Sequence, residues 1–174
     1  MKKVLIVLVS VMFTISLQSQ HVFEKGDLLF NAGIGMPYNY GFIPTINFSG
    51  EYGVIPTGDV GLVSFGGLAE IQFANYDYYW DGDYSSTKPY FIFGPRASWH
   101  LHVFESDKWD VYGGVGFGIA FKGSYNNGNY NSKVSPYGEG FVGGRMMFSD
   151  GFGLFAETGW GSRSFIKFGV AFGF

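Results

Sequence analysis

Seven charged residues recur at positions where their chemistry can be shared. They are Glu51, Glu70, Glu139 and Glu157, with Arg96, Arg145 and Lys167. His100 and His102 stand two residues apart, with Glu105 close behind. Ser98-Trp99-His100 places a hydroxyl near an imidazole. Tyr76, Tyr78, Tyr79, Trp80 and Tyr84 are interleaved with Asp77, Asp81 and Asp83, and Tyr125 and Tyr130 sit among Asn126, Asn127, Asn129 and Asn131. Each set implies a different chemistry. Acids and bases brought into a narrow space must pair, because a buried lone charge is costly. Two histidines and a carboxylate bind metal or titrate. A Ser/His pair suggests acyl transfer, and Tyr with Asn makes adaptable surface contacts. The elements that carry these residues decide among the readings.

Those elements are strands. Gly is too frequent for helices, and aromatic and β-branched residues dominate. Apolar residues alternate with small or polar ones at period two. In Phe165–Phe174, Ile166, Phe168, Val170, Phe172 and Phe174 share a face opposite Lys167, Gly169, Ala171 and Gly173. The same pattern runs through Phe152–Gly161, Val111–Phe121, Phe91–Val103 and segments near Leu28–Met36, Thr45–Val54 and Phe65–Phe73. Pro136–Phe148 is less regular, with Val142, Met146 and Phe148 on one face and Glu139, Phe141 and Arg145 on the other. Eight strands of about ten residues result, and a tilted strand needs about 9–11 to cross a bilayer. Ile55–Asp59, Glu105–Lys108 and Ser149–Gly151 read as tight turns. They alternate with long polar loops at Asn75–Lys88 and Lys122–Val134, and with shorter ones at Pro37–Phe42 and Gly161–Ser164.

A bilayer-spanning sheet must satisfy every backbone N–H and C=O internally, so it closes. One face of each strand then meets lipid and the other a narrow interior, where Gly and Ala leave room for a few large polar side chains. Charged residues are only 14% of the chain, against about a quarter in soluble domains. In the alternative, a soluble barrel or sandwich, the Phe-rich faces would point inward and so many glycines would face water, where they weaken strands. Met1-Lys2-Lys3, the apolar Val4–Leu17 and the polar Gln18-Ser19-Gln20 have the layout of a cleavable signal peptide, too short for a comfortable anchor helix. The expected organisation is a signal peptide over 1–19 and one barrel domain over 20–174. Removal of Lys2 and Lys3 takes the basic residues from 11 to nine, against 14 acids. This excludes a basic nucleic-acid footprint. With no cysteine there is no disulfide framework, thiolate metal site or lipidated N-terminal Cys.

On this signal layout, these eight strands and a last strand ending on Phe174, residues 21–174 resemble the small outer-membrane barrels of the OmpA/OmpX type. Gly140-Phe141-Val142-Gly143-Gly144-Arg145 and Leu154-Phe155-Ala156-Glu157 look similar to segments of such barrels. The resemblance implies an all-β, eight-stranded antiparallel transmembrane up-and-down barrel. It implies that Phe168, Val170, Phe172 and Phe174 form the signal read by the barrel-assembly machinery. It implies little about activity, since such barrels serve as anchors, adhesins, narrow channels or lipid enzymes.

Within a barrel the charged residues face inward, and a salt-bridge plug is expected rather than a conducting path. Arg145 is expected to bridge Glu139 and Glu157. His100 and His102, at i and i+2, do not complete a tetrahedral metal site. Ser98 and His100 face the interior with no carboxylate assigned to orient the imidazole, so no enzyme is expected. Asp77, Asp81 and Asp83 lack the spacing and later Glu of a calcium loop. No metal or other cofactor is called for. The loop tyrosines and Trp80 either bind an extracellular ligand or form the interfacial aromatic girdle. The expected protein is a monomer in outer-membrane lipid with a plugged interior and a structural or surface-interaction role. A narrow solute channel is the alternative, and a lipid-modifying enzyme a more distant one.

Overall fold

Period two is realised as eight antiparallel strands closed into a barrel, each paired with its sequence neighbour and β8 paired back to β1. The computed structural model describes residues 22–38, 43–77, 85–102, 106, 108–126 and 129–174. The strands are β1 (Leu28–Pro37), β2 (Thr45–Pro56), β3 (Gly61–Asp77), β4 (Ser85–Leu101), β5 (Trp109–Asn126), β6 (Asn129–Ser149), β7 (Phe152–Trp160) and β8 (Ser164–Gly173). A short 3-10 turn, Gly58–Val60, joins β2 to β3. The expected signal segment 1–19 lies outside the described residues.

The faces follow the sequence alternation. Phe30, Ile34, Phe48, Tyr52, Phe65, Phe93, Val115, Phe117, Val142, Leu154 and Phe168 point outward and are exposed. Asn31, Asn47, Glu51, Ser64, Glu70, Arg96, His100, Tyr112, Phe141, Arg145, Phe155 and Glu157 point inward and are buried. This inverts a water-soluble core, with large apolar groups outside and charge inside. Pro95, in the middle of β4, falls where the β4–β5 pairing skips from Phe93↔Ile119 to Arg96↔Gly116. The register is the same on either side of this gap, so the ladder is interrupted where proline has no N–H to give.

The long loops expected at Asn75–Lys88 and Lys122–Val134 are corrected. Their described residues are strand: β3 and β4 stay paired out to Asp77↔Ser85, and β5 and β6 out to Asn126↔Asn129. Their polar residues suggested loops, but cross-strand pairing tolerates Tyr, Asn, Ser and Lys on faces that no longer meet lipid. Beyond the barrel wall these hairpins become ribbons. Among the described residues, β2 pairs with β3 only as far as Ile71, β4 with β5 as far as Tyr90↔Lys122, and β6 with β7 as far as Gly140↔Trp160. Residues 129–137 of β6 thus have β5 as their partner and, among the described residues, no strand paired on the other side.

Candidate functional site

Inward positions from all eight strands meet in the barrel interior. Arg145 on β6 lies directly across from Asp110 on β5. Its Nη1 donates to Asp110 Oδ2 at 2.6 Å, and its Nη2 lies 3.3 Å from Glu51 Oε2 on the opposite wall. Its Nε donates to Asn31 Oδ1 at 3.1 Å, and Asn31 Nδ2 donates to Ser49 Oγ. Arg96 on β4 crosses the interior to β7, where its Nη2 donates to Glu157 Oε1 at 2.8 Å, while its Nε lies 3.4 Å from Glu51 Oε1. The Tyr112 hydroxyl donates to the same Glu157 oxygen at 3.0 Å. Both guanidinium planes rest on rings, Arg96 on Phe141 at 3.6 Å and Arg145 on Tyr112 at 4.0 Å. Lys167 reaches Glu139 Oε2 at 3.3 Å.

His100 is the hinge of this cluster. Its Nδ1 lies 3.0 Å from both Asp110 oxygens and its Nε2 lies 3.0 Å from Glu51 Oε2. Two carboxylates on two ring nitrogens are both satisfied only by an imidazolium, the form with two N–H donors. That form sets three cations, Arg96, Arg145 and His100, against the carboxylates of Glu51, Asp110 and Glu157.

Several expectations change here. Arg145 does not bridge Glu139 and Glu157. Its partners are Asp110 and Glu51, while Glu157 goes to Arg96 and Glu139 to Lys167. The reason is reach: Asp110 is the cross-strand neighbour of Arg145, whereas Glu157 sits beyond Phe155, the β7 residue opposite Arg145. Glu70 faces inward but stands apart toward the ribbon end, accepting from the Ser164 hydroxyl and from the Arg163 amide at 3.2 Å. Ser98 is not the hydroxyl beside His100. Ser64 is, with Oγ 3.0 Å from Nε2, completing a Ser64–His100–Asp110 chain. This chain has the connectivity of a nucleophile relay, but Glu51 occupies the nitrogen that would have to accept the serine proton, and Ser64 is fully buried.

Both ring nitrogens of His100 face carboxylates, and Glu105 lies outside the described residues. So do Tyr78, Tyr79, Trp80, Tyr84, Asp81 and Asp83. Tyr76 lies in β3 opposite Ser86, and Tyr125 of β5 opposite Tyr130 of β6. Phe168 and Phe172 lie on the outer face of β8 with the half-buried Val170, and Phe174, just past the strand, is exposed. Phe174 and Leu28 exchange two backbone hydrogen bonds of 2.9 Å across the closing seam.

Sequence reasoning missed Asp110, Ser64 and Asn31, and it assigned nothing to Val22 and Phe23. The last two lie at the short-turn end. Phe23 is buried with Leu29 and Leu62 and meets the His100 ring at 4.4 Å. Val22 packs on Met147, Phe155 and Ala171. In the same stretch, partial burial pushes the Asp27 carboxyl above its ordinary range, opposed by the hydrogen bond it accepts from the Glu24 amide.

The cluster also depends on glycine. A Cβ at Gly143 would stand 2.8 Å from Tyr112 Cζ and 2.8 Å from Glu157 Cγ. Gly143→Ala is therefore expected to lower unfolding stability by about 1–3 kcal/mol through overpacking, measured as a shift in denaturant midpoint in detergent micelles.

No family model matches the sequence, and no curated protein matches it. Solved structures do. The N-terminal β-barrel domain of OprF from Pseudomonas aeruginosa superposes with a TM-score of 0.56 at 14% identity, over 87% of this chain and 100% of that one. This chain has the fold of the small outer-membrane barrels. Ail, the attachment invasion locus protein of Yersinia pestis, matches with a TM-score of 0.50 at 12% identity, over 86% of this chain and 99% of that one. Ail in complex with the heparin analogue sucrose octasulfate matches similarly, at 0.51 and 12%. The outward apolar belt and the inward ion pairs fit this fold.

Proposed function

We propose that the protein is an integral outer-membrane barrel whose interior offers no path to solutes, and whose structural or surface-interaction role is carried by the projecting ribbons. The observation that carries this reading is the charge cluster. Arg96 and Arg145 cross from wall to wall, and Arg96, Arg145, Glu51 and Tyr112 are almost wholly buried between the walls. An ion entering would have to break charge-assisted hydrogen bonds and leave buried charges unpaired. The exposed aromatic and aliphatic belt supports residence in lipid. A closed barrel has no free sheet edge within that belt, which supports a monomer. The outer face of β8 is what the barrel-assembly machinery would read, through Phe168, Val170, Phe172 and Phe174. The ribbons offer open backbone edges beyond the apolar belt, a surface suited to an extracellular ligand. The engagement of His100 Nε2 by Glu51 supports a non-catalytic protein.

Single-channel recording of the refolded protein in a planar bilayer tests the closed interior, after heat-dependent gel mobility has established folding. The expected trace has no steady open level. A reproducible open level in the unmodified protein overturns the reading.

A further inference from the structure

The short-turn end of the barrel carries a segment that the charge cluster does not explain. Residues 22–27 precede β1 and turn back into the mouth. The turn is built locally: the Asp27 amide donates to the Glu24 carbonyl at 3.2 Å, and the Glu24 amide donates to Asp27 Oδ2 at 2.7 Å. Gly26 has φ +99°, in the left-handed region that Gly adopts without strain. The segment is then tied to the wall, with the Gly26 amide donating to the Gly53 carbonyl and the Gly53 amide to the Asp27 carbonyl, each at 3.0 Å. Gly53 has to be small for this, because a Cβ there would lie 2.3 Å from the Glu24 carbonyl oxygen.

What the turn delivers is Phe23. Its ring is 2% exposed, although it belongs to no strand. It is seated on Leu29 of β1, Leu62 of β3 and the His100 ring of β4, while Val22 beside it meets the Met147, Phe155 and Ala171 group of β6, β7 and β8. Two adjacent apolar side chains therefore touch walls on opposite sides of the mouth. They cover the polar cluster at its near end, where His100 and Ser64 lie.

We propose that residues 22–27 form a strap that seals the short-turn mouth of the barrel, with Phe23 as its stopper, separately from the salt-bridge cluster. This rests on the reading of a closed interior and adds a second barrier to it. The strap is the more easily displaced of the two. It is held by a few backbone bonds at the rim and by burial of one aromatic ring, whereas the cluster is held by charges that cannot be exposed one at a time.

The chain contains no cysteine, so Ser64→Cys introduces a single thiol behind the stopper. The experiment adds a small charged methanethiosulfonate reagent to the full-length folded barrel in detergent micelles. Ser64→Cys alone is expected to resist labelling until the barrel is unfolded. Combined with Phe23→Ala, which removes the ring, or with Gly53→Val, which obstructs the strap backbone, labelling of the folded barrel is expected to accelerate at least about tenfold as the thiol becomes accessible. Gel mobility shows which variants are folded. If Gly53→Val does not fold, Phe23→Ala decides, since it leaves the backbone bonds in place. Rapid labelling of Ser64→Cys with Phe23 intact overturns the proposal, as does continued protection in folded Phe23→Ala. The two readings fail differently. Steady conductance in the unmodified protein defeats the closed interior, whereas labelling behind an intact Phe23 in a non-conducting barrel defeats only the seal.

Discussion

Arg145→Met is expected to destabilise the folded barrel by about 3–5 kcal/mol, because it removes one partner from a buried ionic cluster. Methionine keeps most of the volume over the Tyr112 ring but leaves Asp110 Oδ2, Glu51 Oε2 and Asn31 Oδ1 without the guanidinium they face. The measurement is a reversible urea titration of the refolded barrel in micelles, read by the heat-dependent gel shift and by tyrosine and tryptophan fluorescence. Arg145→Lys should fall between the two, since an ammonium keeps the charge but cannot span three acceptors with a planar fork. Partner assignment is tested by double-mutant cycles. Asp110→Asn should offset part of the Arg145→Met loss, because it removes a buried charge that has lost one of its two cationic partners and keeps only His100. Glu157→Gln should add to that loss independently, because Arg96 and Tyr112 hold Glu157. A loss below about 1 kcal/mol for Arg145→Met, or strong coupling to Glu157 with none to Asp110, would show that the cluster is not wired as described.

The wiring was the part least legible in the sequence. Period two assigns a face to every residue, and it placed Glu51, Glu70, Arg96, Glu139, Arg145, Glu157 and Lys167 inside. It says nothing of height. Which inward residues meet depends on the stagger between strands, and a narrow barrel lets a long side chain choose partners on three or four walls. Arg96 finding Glu157 on β7 is a result of that geometry alone. Asp110 was missed for a smaller reason. The strand was begun at Val111, one residue after it, although the outward Trp109 before it continues the alternation and marks Asp110 as inward. Ser64 escapes for the same reason, because the apolar alternation reads from Phe65 whereas β3 begins at Gly61. The ribbons were misread because a strand leaving the bilayer loses the apolar half of its pattern, so Asn, Ser and Tyr look like loop. Phe23 carried no signal at all: one aromatic residue before the first strand does not announce that it turns back into the mouth.

The second large effect concerns the opposite face. Val115→Arg is expected to destabilise the barrel by about 2–4 kcal/mol in lipid vesicles, the cost of a cationic side chain near the middle of the bilayer. Val115 is 65% exposed and stands on β5 between Ala97 of β4 and Gly140 of β6. Along the strand it is equidistant from Trp109 and Phe121, both exposed on the same face. Phe121→Arg, nearer the ribbon end, should cost about 1 kcal/mol or less, since the charge can reach the interface. The gradient carries the argument. In water, arginine at any of these exposed positions would change stability by no more than about 0.5 kcal/mol and would not depend on depth. A depth-dependent penalty therefore distinguishes a belt that meets lipid from apolar residues that merely lie outside. Equal, small effects at Val115 and Phe121 would remove the membrane from the account. The inward cluster would then need a different reason for being buried, because the inversion of charge inside and apolar surface outside makes physical sense only where the outside is not water.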